Sequence, residues 1–76
     1  MLRKWKYHSP IGTLYIIELN DGTFGFEYNG VIWETCDTPE AEADNIFLHV
    51  TACQDWDSLP PSPSDPSDLT EWDPLF

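Results

Sequence analysis

Positive charge is nearly absent from this sequence. Arg3, Lys4 and Lys6 are its basic residues and precede all fourteen acids, so residues 7–76 carry a formal charge of −14. A surface of this kind repels phosphate, which argues against direct binding to nucleic acid. It favours solubility, and it favours protein partners that present a basic surface.

Long apolar runs are also missing. No stretch is apolar over the roughly 20 residues that a membrane-spanning helix needs, and the basic start is not followed by the apolar core of a secretory signal. We therefore expect no membrane association and a cytoplasmic location, in which Cys36 and Cys53 stay reduced. Whether the two cysteines ever pair is left open by the sequence.

Motifs that carry catalysis or bind metals are lacking as well. His8 and His49 are the only histidines, and neither Cys-x-x-Cys nor His-x-x-x-His spacing occurs. His49 precedes Cys53 by one helical turn, but no orienting group accompanies a nucleophile–base pair there. The glycines form no phosphate-binding loop. We therefore predict a protein that is not an enzyme, with no catalytic, cofactor-binding or metal-binding residue.

Two dipeptides predict an antiparallel β-meander. Asn29-Gly30 and Asp21-Gly22 each lie between β-type residues and suit a two-residue hairpin turn, since these residues tolerate positive φ. Both turns place aromatic residues on one face, and a slip of one residue would disrupt that face. The predicted cross-strand pairs are Tyr28–Val31, Phe26–Trp33, Phe24–Thr35, Leu19–Phe24, Ile17–Phe26 and Tyr15–Tyr28.

The edge and the second face of this sheet are less strongly specified. Residues 2–8 are a candidate fourth strand, and Lys4 and Lys6 suit an edge position because charge there discourages aggregation. The second face would expose apolar side chains unless another segment covered it. Those side chains are Leu14, Ile16 and Ile32.

One helix follows the strands, over residues 38–53. Thr38 is a good N-cap and Pro39 fits the first helical position. An apolar stripe at helical spacing predicts that the helix packs on the aromatic face of the sheet. The expected fold is therefore α+β: a three- or four-stranded antiparallel meander with one helix on one face. The stripe contains Ala43, Ile46, Phe47, Val50 and Cys53.

The remaining chain reads as a tail. We predict a domain over residues 1–59 and an irregular, proline-rich, acidic tail over residues 60–76 that packs back on it, with one helical turn capped by Ser67. Large apolar residues in acidic sequence suggest a segment that docks on a partner. The alternative is that they cover the second face of the sheet. The candidate partner-binding residues are Trp56, Leu69, Trp72, Leu75 and Phe76.

Three segments carry a resemblance. Asp-Thr-Pro-Glu-Ala-Glu-Ala-Asp occupies 37–44, Thr-Ala-Cys-Gln-Asp-Trp-Asp occupies 51–57, and Ser-Asp-Leu-Thr-Glu-Trp occupies 67–72. In this order, after a short meander, they resemble a group of small uncharacterised bacterial proteins, loosely over residues 13–72. The resemblance implies a related fold and a bacterial origin. It implies no activity and no catalytic residue.

Two functions of different classes follow from these features. The first is a non-enzymatic protein–protein interaction module that binds through the tail aromatics or the open sheet face. The alternative is an inhibitor that mimics the charge of DNA and blocks a nucleic-acid-binding protein or nuclease, because residues 7–76 are acidic throughout. In both cases we expect a protein partner. The oligomeric state is not specified by the sequence.

Overall fold

Five antiparallel strands and one main helix make up residues 2–76, the part of the chain that the computed structural model describes. The sheet order is β4-β3-β2-β1-β5. The predicted α+β class is confirmed, with five strands in place of three or four. The elements are β1 (Lys4–Ser9), β2 (Gly12–Glu18), β3 (Phe24–Tyr28), β4 (Val31–Cys36), α1 (Pro39–Phe47), α2 (Gln54–Asp57), a 3-10 helix (Leu69–Glu71) and β5 (Asp73–Pro74).

The β3–β4 hairpin forms as predicted at its turn and departs from the prediction beyond it. Asn29 and Gly30 have φ of 56° and 80°, as a type I′ turn requires. A β-bulge then makes Trp33 an extra residue in β4. Tyr28 pairs with Val31 as expected, but the pairs Phe26–Trp33 and Phe24–Thr35 are wrong. The structure has Phe26–Glu34 and Phe24–Cys36.

The β2–β3 hairpin has a longer loop than predicted. The Leu19 N–H donates to the Thr23 carbonyl over 2.8 Å, which leaves three residues in the loop, and Gly22 has a φ of 87°. The Asp21 carboxylate accepts the Thr23 N–H over 3.0 Å and stabilises this wider turn. The predicted pairs are therefore wrong by one residue, and the other face of β2 is buried. The observed pairs are Leu14–Tyr28, Ile16–Phe26 and Glu18–Phe24.

β1 is the predicted fourth strand, but it is not an edge. It pairs with β2 on one side and with β5 on the other, where Trp5 lies opposite Pro74 and Lys6 opposite Asp73. The Leu75 N–H extends this contact by donating to the Lys4 carbonyl over 2.7 Å. The C-terminal segment therefore forms the edge of the sheet.

Helix α1 begins where the sequence predicts and ends six residues earlier. The Thr38 side chain accepts the Ala41 N–H over 3.1 Å, with Pro39 in the first turn. After Phe47 the chain turns back, because His49 adopts a left-handed φ of 57°. The Val50 N–H then donates to the carbonyl of residue 45 over 3.1 Å. Phe47 and Val50 are consequently exposed, so the predicted stripe is wrong in its second half.

One apolar core lies between the sheet and the segments that follow it. Trp56 of α2 and Trp72 of the C-terminal segment join α1 in this core. The tail residue Trp72 thus packs with Leu14 and Ile16, as the alternative expects, but not with Ile32, which lies on the opposite face. Leu14 and Ile16 are fully buried in this core, whereas Ile32 on the second face is 43% exposed. The core residues are Trp5, Leu14, Ile16, Phe24, Phe26, Ala43, Ile46, Cys53, Trp56 and Trp72.

No helix within residues 2–76 has the length and apolar character that crossing a bilayer would require. Neither Cys36 nor Cys53 forms a disulfide in this part of the chain, and the two lie in different surroundings. Cys36 is half-buried at the end of β4, and Cys53 is fully buried before α2.

Candidate functional site

A groove of about 530 Å³ opens where the C-terminal segment crosses β1. Its apolar walls come from β1, the 3-10 helix and the residues around β5, and carboxyl groups of α1 and of the 3-10 cap join them. We call it the aromatic groove. Its apolar lining residues are Trp5, Leu69, Trp72, Pro74 and Phe76, and its acidic residues are Glu40 and Asp68.

Local contacts fix the aromatic rings of the groove. Pairing of β5 with β1 brings Phe76 to Trp5, and their ring centroids are 5.2 Å apart in an edge-to-face arrangement of 81°. Trp72 packs against Tyr7 with a centroid distance of 5.6 Å. Trp72 is only 3% exposed, and its indole N–H has no hydrogen-bond partner. Trp5 and Trp72 are therefore held in place by the core, whereas Phe76 is largely exposed.

The 3-10 helix that forms one wall is capped by Asp68, and not by Ser67 as the sequence predicts. The Asp68 carboxylate accepts the Thr70 N–H over 3.0 Å. The Ser67 hydroxyl donates instead to the Glu71 carboxylate. That contact lowers the pKa of the Glu71 carboxyl, since hydrogen bonds to the ionised form favour it.

Aromatic faces and carboxylates together favour a cationic ligand. Within the chain, the Arg3 guanidinium already lies 5.7 Å from the Trp5 ring centroid and 5.2 Å from that of Phe24. Cation–π contacts of this kind contribute about 0.5–1 kcal/mol at exposed sites. Aromatic rings next to acidic residues have the chemistry that suits an arginine or lysine side chain with an apolar neighbour.

The predicted partner-binding residues divide into two sets. Leu69, Trp72 and Phe76 line the groove, and Phe76 is 62% exposed. Leu75 is 46% exposed and does not line the groove. Trp56 lies outside the groove: it is fully buried in the core, and its indole N–H donates to the Ile46 carbonyl over 2.8 Å.

Sequence reasoning missed Trp5, Pro74 and the two carboxyl groups of the groove. Trp5 was assigned only to a candidate strand, and nothing near it in the chain indicates a contact with residues 72–76. The β1–β5 pairing brings these segments together over almost the full length of the chain. A short strand that contains Pro74 carries too weak a local signal to predict this pairing.

A buried histidine ties the chain after residue 60 to the end of α1. The His49 ring stacks on Trp56 with a centroid distance of 4.4 Å and an interplanar angle of 8°. Its Nδ1 lies 2.9 Å from the Trp56 carbonyl oxygen, and its Nε2 lies 2.8 Å from Asp65 Oδ2. Both ring nitrogens therefore face acceptor oxygens, which fixes the orientation of the ring.

Three acidic groups meet between β4 and α1. The donor atoms of Glu34, Cys36 and Glu42 all lie within 4.8 Å of one another, and we call this set the thiol–carboxyl cluster. Burial raises the pKa of Glu42 to about 9, and the adjacent Glu34 carboxyl adds to the effect. Burial and Glu42 raise the pKa of Cys36 to about 12. Such a thiol is not an active nucleophile at neutral pH.

Replacing Glu42 with glutamine is expected to stabilise the protein near neutral pH in buffer with a chelator. Between the ordinary pKa of 4.5 and the folded value of about 9, the folded protein binds a proton that the unfolded chain does not. Stability therefore falls as pH rises through this window. At pH ~7.5 we expect Glu42→Gln to raise the free energy of unfolding by on the order of 2 kcal/mol.

Urea unfolding at several pH values measures this effect, and the exposed Glu40→Gln is the matched control on the same helix. The gain from Glu42→Gln should shrink toward zero as the pH falls below 4.5, where glutamate becomes protonated in both states. A variant less stable than the parent at neutral pH, or a gain that does not change with pH, would show that burial does not raise the pKa of the Glu42 carboxyl.

Comparisons with known proteins find no relative of this chain. No family model matches the chain, no curated protein matches it, and no solved structure matches it.

Proposed function

We propose that this protein is a protein-interaction module whose aromatic groove binds a basic, partly apolar segment of a protein partner. The observation that carries the proposal is that Trp5, Trp72 and Phe76 line one opening together with the acidic residues Glu40 and Asp68. Aromatic anchors in a pre-formed pocket supply most of the affinity in many interfaces. Carboxylates at the same place select a cationic partner and repel an acidic one.

The negative charge of the rest of the chain also favours a basic partner. Residues 7–76 carry no lysine or arginine, so a basic segment approaches through an attractive field over most of the surface. The groove volume of about 530 Å³ also lies within the usual range of binding pockets. An arginine beside a leucine or an aromatic residue suits this combination of charge and apolar surface.

Truncating Phe76 tests the proposal with little risk to the fold, because that side chain is largely exposed. The probe is a short peptide in which arginine alternates with leucine, and its control replaces each arginine with glutamate. We expect Phe76→Ala to weaken binding of the arginine peptide about tenfold, as loss of an aromatic anchor does. Calorimetry or tryptophan fluorescence measures the affinity.

Leu75→Ala is the matched control, since Leu75 is the adjacent exposed apolar residue and does not line the groove. It should bind the peptide within about twofold of the parent. Equal losses in both variants, or equal binding of the glutamate peptide, would count against the groove as the binding site.

The alternative function is inhibition by DNA-like charge, and the long acidic stretch is what favours it. Several carboxylates are unsuited to that role: Glu42 is buried, Asp65 contacts His49, and Glu18 pairs with Arg3 over 3.2 Å. Salt separates the two proposals. A charge mimic should lose its basic partner steeply as salt rises, whereas an aromatic contact should persist. Binding that barely changes with salt rules out the mimic.

A further inference from the structure

The thiol–carboxyl cluster is created by the bulge in β4. Glu34 and Cys36 are two positions apart in a strand, so their side chains share a face. Because Trp33 is the extra residue, that face is the one α1 covers. The Cys36 Sγ lies 4.0 Å from Glu34 Oε1 as a result. β-bulges commonly redirect side chains in this way next to functional sites.

Glu42 points into this cluster from the opposite side. It is 0% exposed, and neither of its carboxyl oxygens has a hydrogen-bond partner. Buried carboxyl groups in folded proteins are normally paired, hydrogen-bonded or bound to a metal ion. The Glu42 carboxyl has none of these partners, although a thiol and a second carboxyl lie next to it. Packing alone does not explain this arrangement.

Asn45 orients the other two groups. It lies three positions after Glu42, on the same face of α1. Its amide nitrogen donates to Glu34 Oε1 over 3.2 Å and to Cys36 Sγ over 3.5 Å. A donor of this kind fixes the direction of ligand atoms around metal sites and leaves their remaining lone pairs free.

We propose that Glu34, Cys36 and Glu42 bind a divalent transition-metal ion of the zinc class. One thiolate and two carboxylates are a donor set that suits Zn²⁺, whereas Ca²⁺ and Mg²⁺ prefer oxygen ligands alone. The donor atoms lie within 4.8 Å of one another, so small side-chain movements bring them to one ion. Glu34 and Cys36 are half-buried, which leaves a path for the ion to enter.

This site is independent of the aromatic groove. The groove lies between β1 and the C-terminal segment, and the cluster lies between β4 and α1 at the other edge of the sheet. The ion would replace the protons that the thiol and the buried carboxyl otherwise hold. It would also fasten α1 to the edge strand β4.

Cobalt titration of the full chain tests the proposal directly, because Co²⁺ bound to a thiolate gives a charge-transfer absorption band. We expect this band in the parent and in Cys53→Ala, which keeps the cluster thiol, and no band in Cys36→Ser. Circular dichroism checks that each variant is folded. A parent without the band, or a band that survives in Cys36→Ser, overturns the proposal.

Zinc competition against a chromophoric chelator measures the affinity, with Mg²⁺ as the comparison ion. Glu42→Gln and Glu34→Gln should each weaken zinc binding about 100-fold, and Asn45→Ala about tenfold. Asp44→Asn, which changes an exposed acid of α1 outside both sites, should leave the affinity unchanged. Equal affinities for the parent and for both cluster glutamine variants overturn the site, as does binding of Mg²⁺ as tightly as Zn²⁺.

Discussion

A chain that ends at Leu59 is expected to be unfolded. Residues 60–76 supply Trp72 to the core, Asp65 to the His49 contact and the strand β5 to the sheet edge. Losing one buried tryptophan side chain alone costs about 3–5 kcal/mol, and small domains have a total stability of about 5–15 kcal/mol. The truncated chain loses the tryptophan, the buried contact and the strand together.

Backbone amide NMR spectra of the full chain and of residues 1–59 measure this outcome. The full chain should give dispersed peaks, and the truncated chain should give the narrow dispersion of an unfolded protein. If the truncated chain kept the dispersed peaks of β1 to β4 and α1, residues 60–76 would be an appendage, and the core described above would be wrong.

Asp65→Ala has the second-largest expected effect, a loss of about 3 kcal/mol in the free energy of unfolding. The reason is that His49 is buried and keeps its left-handed backbone conformation while it donates to Asp65 over 2.8 Å. Without the carboxylate, that ring nitrogen has no acceptor. The Ser62 N–H, which donates to the same carboxylate over 2.9 Å, also loses its partner.

Urea unfolding compares Asp65→Ala with Asp44→Ala, an exposed acid on α1 whose loss should change stability by less than about 0.5 kcal/mol. His49→Asn completes a double-mutant cycle, since asparagine tolerates the same backbone conformation. A coupling energy of about 1–3 kcal/mol is expected for residues in direct contact. Additive effects of the two substitutions would show that the pair does not stabilise the fold.

Local signals account for the parts of the fold that the sequence predicts. Asn29-Gly30 determines its own turn because both residues take positive φ, and Thr38 with Pro39 starts α1 through contacts within one turn. The helix end at His49 was missed because the left-handed residue there is not glycine. It is held by Trp56 and Asp65, which lie 7 and 16 residues further along the chain.

Each of the two register errors comes from one extra residue, in the β2–β3 loop and in β4 respectively. Asp21-Gly22 predicts a two-residue turn, but the Asp21 carboxylate stabilises a three-residue loop. The Asn29-Gly30 turn predicts that Trp33 is paired, but Trp33 is the bulge residue, and its indole N–H donates to the Tyr28 carbonyl over 3.1 Å. Because side chains alternate along a strand, each change reverses the faces beyond it.

The two sites differ in how much of them the sequence predicts. The thiol–carboxyl cluster could not be predicted, because the expected register placed Glu34 and Cys36 on the face away from α1. The groove was half-predicted: Leu69, Trp72 and Phe76 stand out as large apolar residues in an acidic tail. Trp5 belongs to the same groove only through the β1–β5 pairing, which no local pattern indicates.

The four tryptophans allow one measurement to test the central claim that the aromatic groove binds a basic segment. Each indole N–H gives its own NMR peak: Trp5 and Trp72 line the groove, Trp56 donates to Ile46 in the core, and Trp33 lies on the β4 bulge. Titrating the full chain with the alternating arginine–leucine peptide should shift the Trp5 and Trp72 peaks and leave Trp56 and Trp33 in place. Shifts confined to Trp33, equal shifts of all four peaks, or no shift at all would contradict the claim.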